Sequence, residues 1–173
     1  KYSSRSNNER PMFRDARMPY RGGLEYKVSF DKDAIHIEEF KSDSGPFKFM
    51  AKASLSNFLS KDPSVSFDLV TDSFNVNKSA DYLPLKFFPE EFHALVQSRF
   101  KNGSIKIKSL KFDGSLNQLQ ELAEEKNRGL VSSEFEMKQV DWQSPLPDLK
   151  NVTGNFKVNK GNATLHIVKA RYE

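Results

Sequence analysis

The chain has 173 residues, enough to bury a hydrophobic core, and its formal net charge of +4 is concentrated at one end. Residues 1–23 hold the whole surplus of basic over acidic side chains and the remainder is neutral, which argues against a globally basic nucleic-acid-binding domain. The absence of cysteine excludes a disulfide framework, thiol catalysis and cysteine-based zinc sites.

The N-terminal segment, residues 1–23, has no apolar period, contains two prolines and ends in Gly22-Gly23. These features predict a polar linker or an irregular extended segment. Its six basic residues leave a second interpretation open, a basic arm that contacts an anionic membrane surface or a nucleic acid. We favour the linker.

From Leu24 onward, apolar residues alternate with polar ones, which predicts a mainly β, antiparallel fold. We expect a curved sheet with an apolar inner face and two short amphipathic helices. Residues 24–173 are predicted to form one β-rich domain, with 24–80 and 81–173 as possible sub-units. The residues expected on the inner face are Val28, Phe30, Ile35, Ile37, Phe49, Phe67, Leu69, Ile105, Ile107, Phe135, Met137, Phe156, Val158, Leu165 and Ile167.

Local breaks in the alternation predict other features. The apolar phase shifts at Ser109, which predicts a β-bulge, and again between Met137 and Val140. Residues 54–59 are typical of a short turn of helix.

Two segments have a helical period. In residues 89–101 apolar residues recur every four positions, Pro89 suits the first helical position and Asn102-Gly103 forms a stop signal. In residues 116–127 leucines mark one face, and Ser115 with Gln118 has capping-box spacing. Both segments are therefore predicted to be helices that cover part of the sheet.

The chain begins and ends with similar alternating segments, at residues 24–40 and 152–169. A shift of 130 positions places Tyr26 on Phe156 and Ile35 on Leu165. This similarity predicts two equivalent hairpins, and with them a repeating β-architecture of which the chain is one part.

Motifs for catalysis are lacking. The three histidines, at 36, 93 and 166, are far apart in sequence, and no nucleophile elbow, phosphate-binding loop, zinc-protease motif or calcium loop is present. We therefore expect a protein that is not an enzyme and needs no metal or cofactor. No apolar run is long enough to span a membrane, and no signal peptide is recognisable.

A characteristic order of motifs runs from Tyr82 to Tyr172. Tyr82-Leu83-Pro84 is followed by the helical segment, by residues 102–107 and then by residues 110–114. Pro145-Leu146-Pro147 then introduces residues 148–156, and 159–165 follow. This order resembles the C-terminal β-repeat region of the AsmA-like family, which includes YhdP- and TamB-related proteins. Residues 24–76 resemble the family only in their general alternation of apolar and polar residues.

This resemblance implies an envelope protein of a Gram-negative bacterium, whose parent chain is anchored in the inner membrane and whose repeats lie in the periplasm. It implies a hydrophobic β-groove that carries phospholipid between the inner and outer membranes, with neighbouring repeats of the parent chain as partners. The helices and the basic segment depart from a simple groove. A nucleic-acid partner is not expected.

A structural or adhesive β-domain with a closed core and no lipid ligand is the alternative. Its strands would show the same alternation of apolar and polar residues, so the sequence does not separate the two functions. An exposed apolar trough would favour lipid binding, whereas a core closed on all sides would favour a scaffold.

Overall fold

The computed structural model describes residues 2–6, 23–43, 47–78, 100–122, 124–143 and 148–172, and within them it has eleven strands. Within the same described residues, three short helical segments accompany the strands: a 3-10 turn at Val76–Lys78, the α-helix α1 at Leu116–Gln120 and a 3-10 helix at Glu125–Leu130. The strands are β1 (Tyr2–Ser6), β2 (Gly23–Phe30), β3 (Ala34–Asp43), β4 (Lys48–Ser56), β5 (Ser64–Thr71), β6 (Phe74–Asn75), β7 (Phe100–Lys101), β8 (Ser104–Ser115), β9 (Val131–Trp142), β10 (Leu149–Asn159) and β11 (Asn162–Tyr172).

The strands form one antiparallel sheet, in the order β1-β2-β3-β4-β5-β8-β9-β10-β11. The two short strands extend this order, since β6 pairs with β8 and β7 pairs with β9. Within the described residues the sheet is open, with β1 and β11 at its two ends. The predicted fold class, mainly β and antiparallel with short helices, is therefore confirmed. Pairing of β5 with β8 joins the N-terminal and C-terminal halves of the sheet.

Bulges keep the apolar residues of several strands on one side of the sheet. At a bulge, two residues that are three positions apart in sequence point the same way, whereas a regular strand repeats every second residue. The predicted bulge near Ser109 is present, between Ile107 and Ser109. The pairs of apolar residues that flank bulges are Ile37 and Phe40, Ile107 and Leu110, Met137 and Val140, and Leu149 and Val152.

The deepest part of the core lies beneath β8, β9 and β10. Met137, Val140 and Val152 have 0% relative exposure, and Ile105 and Ile107 are also buried. At one end, Phe47, Phe74 and Val76 join this cluster; at the other, Phe112 is buried against the ring of Phe67.

The prediction of an irregular segment at residues 1–23 is wrong for Tyr2–Ser6, which form β1 along β2. This five-residue strand is mostly polar and lacks apolar alternation, so its sequence carries no strand signal; backbone pairing alone defines it. Residues 7–22 lie outside the described residues.

The helix predicted at 116–127 begins as expected but is shorter. The capping box is present: the Ser115 amide donates to Gln118 Oε1 at 2.8 Å and the Gln118 amide to Ser115 Oγ at 3.3 Å. The α-helix ends at Gln120 and a 3-10 helix begins at Glu125. Leu116, expected on the buried face of this helix, is 37% exposed, so the helix buries too little apolar surface to continue.

Two other helical predictions need correction. Residues 79–99 lie outside the described residues, but Phe100–Lys101 form strand β7, so the helix predicted at 89–101 is wrong at its C-terminal end. The helical turn predicted at 54–59 is also wrong, because 54–56 complete β4 and Asn57 follows with a φ of 56°. An asparagine tolerates this left-handed conformation better than most residues do.

The two hairpins that the sequence aligns have different registers. Val28 lies opposite Ile37 in the first hairpin, whereas Val158, its counterpart at a shift of 130, lies opposite Ala163. The second hairpin closes through the two-residue turn Lys160-Gly161, with φ values of 48° and 76°. The turn of the first hairpin is longer, spanning residues 31–33 between β2 and β3. The residue-by-residue correspondence behind the predicted repeat is therefore wrong.

Candidate functional site: an apolar face of the sheet

All fifteen residues predicted for the inner face lie on one side of the sheet, here called the apolar face. Directly paired residues of an antiparallel sheet point to the same side, so the register fixes their placement. One row runs Val28, Ile37, Ala53, Phe67, Phe112 and Val131, across β2, β3, β4, β5, β8 and β9. Another runs Ile107, Phe135, Phe156 and Leu165, across β8 to β11.

Burial of the apolar face decreases from the middle of the sheet toward its outer strands. Among the fifteen residues, Ile105, Ile107 and Met137 on β8 and β9 are buried. Phe30 on β2 is 62% exposed and Ile167 on β11 is 38% exposed. The other ten are half-buried: Val28, Ile35, Ile37, Phe49, Phe67, Leu69, Phe135, Phe156, Val158 and Leu165.

Aromatic rings form contacts along this face. Phe135 and Phe156 have ring centroids 6.0 Å apart, and Trp142 meets Phe156 edge-on at 5.5 Å. Trp142 also contacts Phe100 of β7, at 5.3 Å. These contacts make a rigid apolar surface at the β9–β10 end of the sheet.

A second aromatic group lies further toward the N-terminal strands. Phe49 of β4 contacts Phe40 and Phe47, each with centroids 5.6 Å apart, and Phe47 meets Phe74 at 5.2 Å. Half-buried residues of β5 and β8, Leu69 and Leu110, pack against the same core cluster.

Several residues of the apolar face were not predicted, because they follow bulges. The structure adds Phe40, Leu110, Val140, Trp142 and Leu149, which lie beyond bulges and which a strict period of two assigns to the opposite side. The signal that finds them is a step of three between apolar residues, as from Met137 to Val140 and from Leu149 to Val152.

The opposite side of the sheet, here called the charged face, carries ion pairs between neighbouring strands. Glu134 of β9 accepts from Lys157 of β10 at 3.0 Å, and Lys108 of β8 lies 3.8 Å from both Glu134 and Glu136. The hydrogen bond from Lys157 lowers the pKa of Glu134, and that from Lys138 lowers the pKa of Glu136. The two sides therefore differ sharply in polarity.

An amide network lies on the charged face where β6, β7, β9 and β10 come together. Asn77 and Asn102 exchange two hydrogen bonds of 3.0 and 3.1 Å. Asp141 accepts from Asn102 Nδ2 at 2.6 Å and from the Asn151 amide at 3.0 Å. These bonds, that from Asn102 first, lower the pKa of Asp141.

Two adjoining cavities also lie on the charged face. The smaller, of about 220 Å³, is lined by Gln139, Asn151, Thr153, Lys169 and Arg171. The larger, of about 510 Å³, shares Gln139 and Thr153 and extends toward Asn75 and Ser104. Neither is lined by residues of the apolar face, which is an open surface and not an enclosed pocket.

The described part of the chain contains no group of three or more histidine, aspartate or glutamate side chains placed to hold a metal ion. In the same residues, every helix is too short or too polar to cross a bilayer. What the arrangement offers chemically is an apolar surface on one side and charged side chains on the other. No protein-family model, curated protein or solved structure matches this chain.

Proposed function

We propose that this chain is a non-enzymatic domain that binds phospholipid acyl chains along the apolar face of its sheet. The observation that supports the proposal is the register, which gathers apolar side chains from β2 to β11 on one side while leaving the outer strands partly exposed. An acyl chain laid on that surface would gain about 0.8 kcal/mol for each methylene removed from water. The charged face would remain in solvent.

The resemblance to AsmA-like proteins supports an envelope setting for this activity. In this proposal the domain lies in the periplasm, within a parent protein anchored in the inner membrane of a Gram-negative bacterium. Neighbouring repeats of the parent continue the apolar surface, so that phospholipid passes between the inner and outer membranes and maintains the outer membrane. In residues 1–23, the part between strands β1 and β2 serves as a linker.

Lipid extraction followed by mass spectrometry of the purified protein tests the proposal. We expect co-purified phospholipid, and we expect delipidated protein to reload from vesicles. Phe156→Asp should abolish loading while the protein stays folded, because Phe156 is half-buried and the new carboxylate can reach water. Phe135→Asp, directly opposite in the register, should behave in the same way.

Thr164→Asp is the matched control for charge, since Thr164 is exposed on the charged face of β11, opposite Lys157. Ile167→Asp provides a second test that leaves the packing of the core largely undisturbed, because Ile167 is already 38% exposed. A wild-type protein that never carries lipid, together with unfolded Phe135 and Phe156 variants, would refute the groove.

A structural or adhesive role with a closed core is the second candidate. The complete burial of Met137, Val140 and Val152 favours it, because these residues form a solvent-excluded core that no ligand needs to fill. The two candidates differ at the outer strands, where Phe30 and Ile167 are exposed. If Ile167→Asp changes neither lipid content nor unfolding, the scaffold is the better description.

The basic N-terminal segment has its own test. If it touches anionic headgroups, binding to vesicles should weaken with added salt and disappear when residues 1–23 are deleted. Vesicle binding that neither change affects would assign the segment to a linker, the role proposed above.

A further inference from the structure

We infer that the smaller cavity on the charged face, between β9, β10 and β11, is a binding site for a phosphate group. The cavity is lined by Gln139, Asn151, Thr153, Lys169 and Arg171. Thr153 lies opposite Lys169 in the β10–β11 register, between the core residue Val152 and Gly154. Its side chain therefore points away from the apolar face, and the inference does not rest on the proposed lipid groove.

The two cations of the cavity are not neutralised by the protein. Lys108, Lys138 and Lys157 on the same face each pair with Glu134 or Glu136. Lys169 and Arg171 have no carboxylate partner within the residues that the structure describes. A pair of uncompensated cations side by side repel each other, and a bound anion would relieve that repulsion.

No carboxylate lines the cavity. Asp141 on β9 already uses both oxygens, which accept from Asn102 Nδ2 at 2.6 Å and from the Asn151 amide at 3.0 Å. The cavity wall instead offers donors: an ammonium, a guanidinium, two carboxamides and a hydroxyl. Thr153 Oγ1 accepts from the Gln139 amide at 3.3 Å, which leaves its own proton to donate.

The backbone explains why space exists here. Bulges interrupt the regular pairing of β9 and β10, and Gln139 and Asn151 have φ values of 55° and 54°. A volume of about 220 Å³ exceeds that of a phosphate ion and leaves room for a small esterified alcohol. Phosphate suits this wall better than a carboxylate does, because a guanidinium binds two of its oxygens in a bidentate fork.

Isothermal titration with inorganic phosphate and with glycerol 3-phosphate tests the site. A third arm measures binding to phosphatidylcholine vesicles with and without phosphatidic acid. We expect saturable binding that the double variant Lys169→Ala/Arg171→Ala weakens by about tenfold or more, since two charge-assisted contacts are lost. Arg171→Lys should retain part of the affinity, because the positive charge is kept while the bidentate hydrogen bonding of the guanidinium is lost.

The control is the double variant Arg128→Ala/Lys160→Ala. It removes the same two charge types from exposed residues at the other end of the β10–β11 hairpin: Lys160 lies in the turn, and Arg128 lies beside it in the 3-10 helix. Binding of soluble phosphates that depends on Lys169 and Arg171 supports a soluble ligand. If binding depends on Lys169 and Arg171 only with vesicles that contain phosphatidic acid, the ligand is a lipid headgroup.

Two outcomes would overturn the inference: absence of saturable binding in all three arms, or an equal loss in the control variant. Both variants change exposed side chains, so unfolding is not expected, and circular dichroism checks this. Failure of the lipid groove would show itself differently, as wild-type protein that carries no acyl chains while phosphate binding persists.

Discussion

Met137 lies between Ile105 of β8 and Gly154 of β10 in the sheet register, and its side chain has no exposure to solvent. Together with Val140 and Val152 it forms the most deeply buried part of the apolar face, at the point where β9 is about to bulge. The glycine opposite it, Gly154, has no room for a side chain. Both residues lead to predictions about stability.

Met137→Ala should destabilise the fold by about 2–5 kcal/mol, because it removes buried methylenes and leaves a cavity among rigid strands. Met50→Ala is the matched control: Met50 is 38% exposed and lies opposite Lys41 on the charged face. Its loss should change the free energy of unfolding by no more than about 0.5 kcal/mol. Denaturant unfolding measures both, and equal effects would show that the cluster around Met137 is not the core.

Gly154→Ala should destabilise the protein by about 1–3 kcal/mol or more, since the added methyl has to displace backbone. A Cβ placed on Gly154 would lie 2.1 Å from the His166 carbonyl oxygen of the neighbouring strand. The β10–β11 pairing would have to open to make room.

Gly129→Ala is the control for the loss of glycine itself, because a Cβ there meets nothing within 4 Å. Thermal unfolding of the two variants compares them directly. If Gly154→Ala unfolds at the same temperature as Gly129→Ala, the close approach of β10 and β11 does not constrain residue 154.

Asp141 should contribute stability that depends on pH. Its pKa is lowered in the folded state, by the hydrogen bond from Asn102 first and then by the Asn151 amide. A carboxyl with a depressed folded pKa stabilises the protein above its unfolded value, about 3.9 for aspartate, and loses that contribution as the pH falls through the folded pKa.

Asp141→Asn should therefore lower stability at pH 7, by up to about 1 kcal/mol for a partly exposed group. The difference from wild type should shrink as the pH falls below about 4. Urea unfolding at pH 7 and pH 3 measures this, with Asp113→Asn, exposed in β8, as the control. A difference that stays constant with pH would mean that Asp141 acts through its shape and not its charge.

The alternation of apolar and polar residues was enough to predict the sheet and the common side of all fifteen residues expected on its inner face. It worked because each of those residues pairs with an apolar or small residue of the next strand, as Phe135 does with Ile107. It failed beyond the bulges, where Val140 and Trp142 keep the same side after a change of phase. In the sequence, a change of phase of this kind shows only as a step of three between apolar residues.

Other features depend on tertiary pairing and could not be predicted. β1 is a polar strand that forms because β2 offers it an edge to pair with, so its own residues give no strand signal.

The prediction of a repeat was wrong for a related reason. Similar alternation in two hairpins does not fix the length of their turns, and the turn decides which residues face each other. The smaller cavity on the charged face brings Gln139 together with Lys169, 30 positions later in the numbering, through two successive strand pairings.

The bulges also determine where this chain can change its length. Removing one residue from a regular strand turns every later side chain of that strand to the other side, which would expose the core and bury the charges. Removing one residue between Met137 and Val140 instead converts a step of three into a step of two, so both stay on the apolar face. In related sequences, single-residue insertions and deletions should therefore be concentrated at the bulges. The spacing between motifs on either side of a bulge would then differ from one sequence to another.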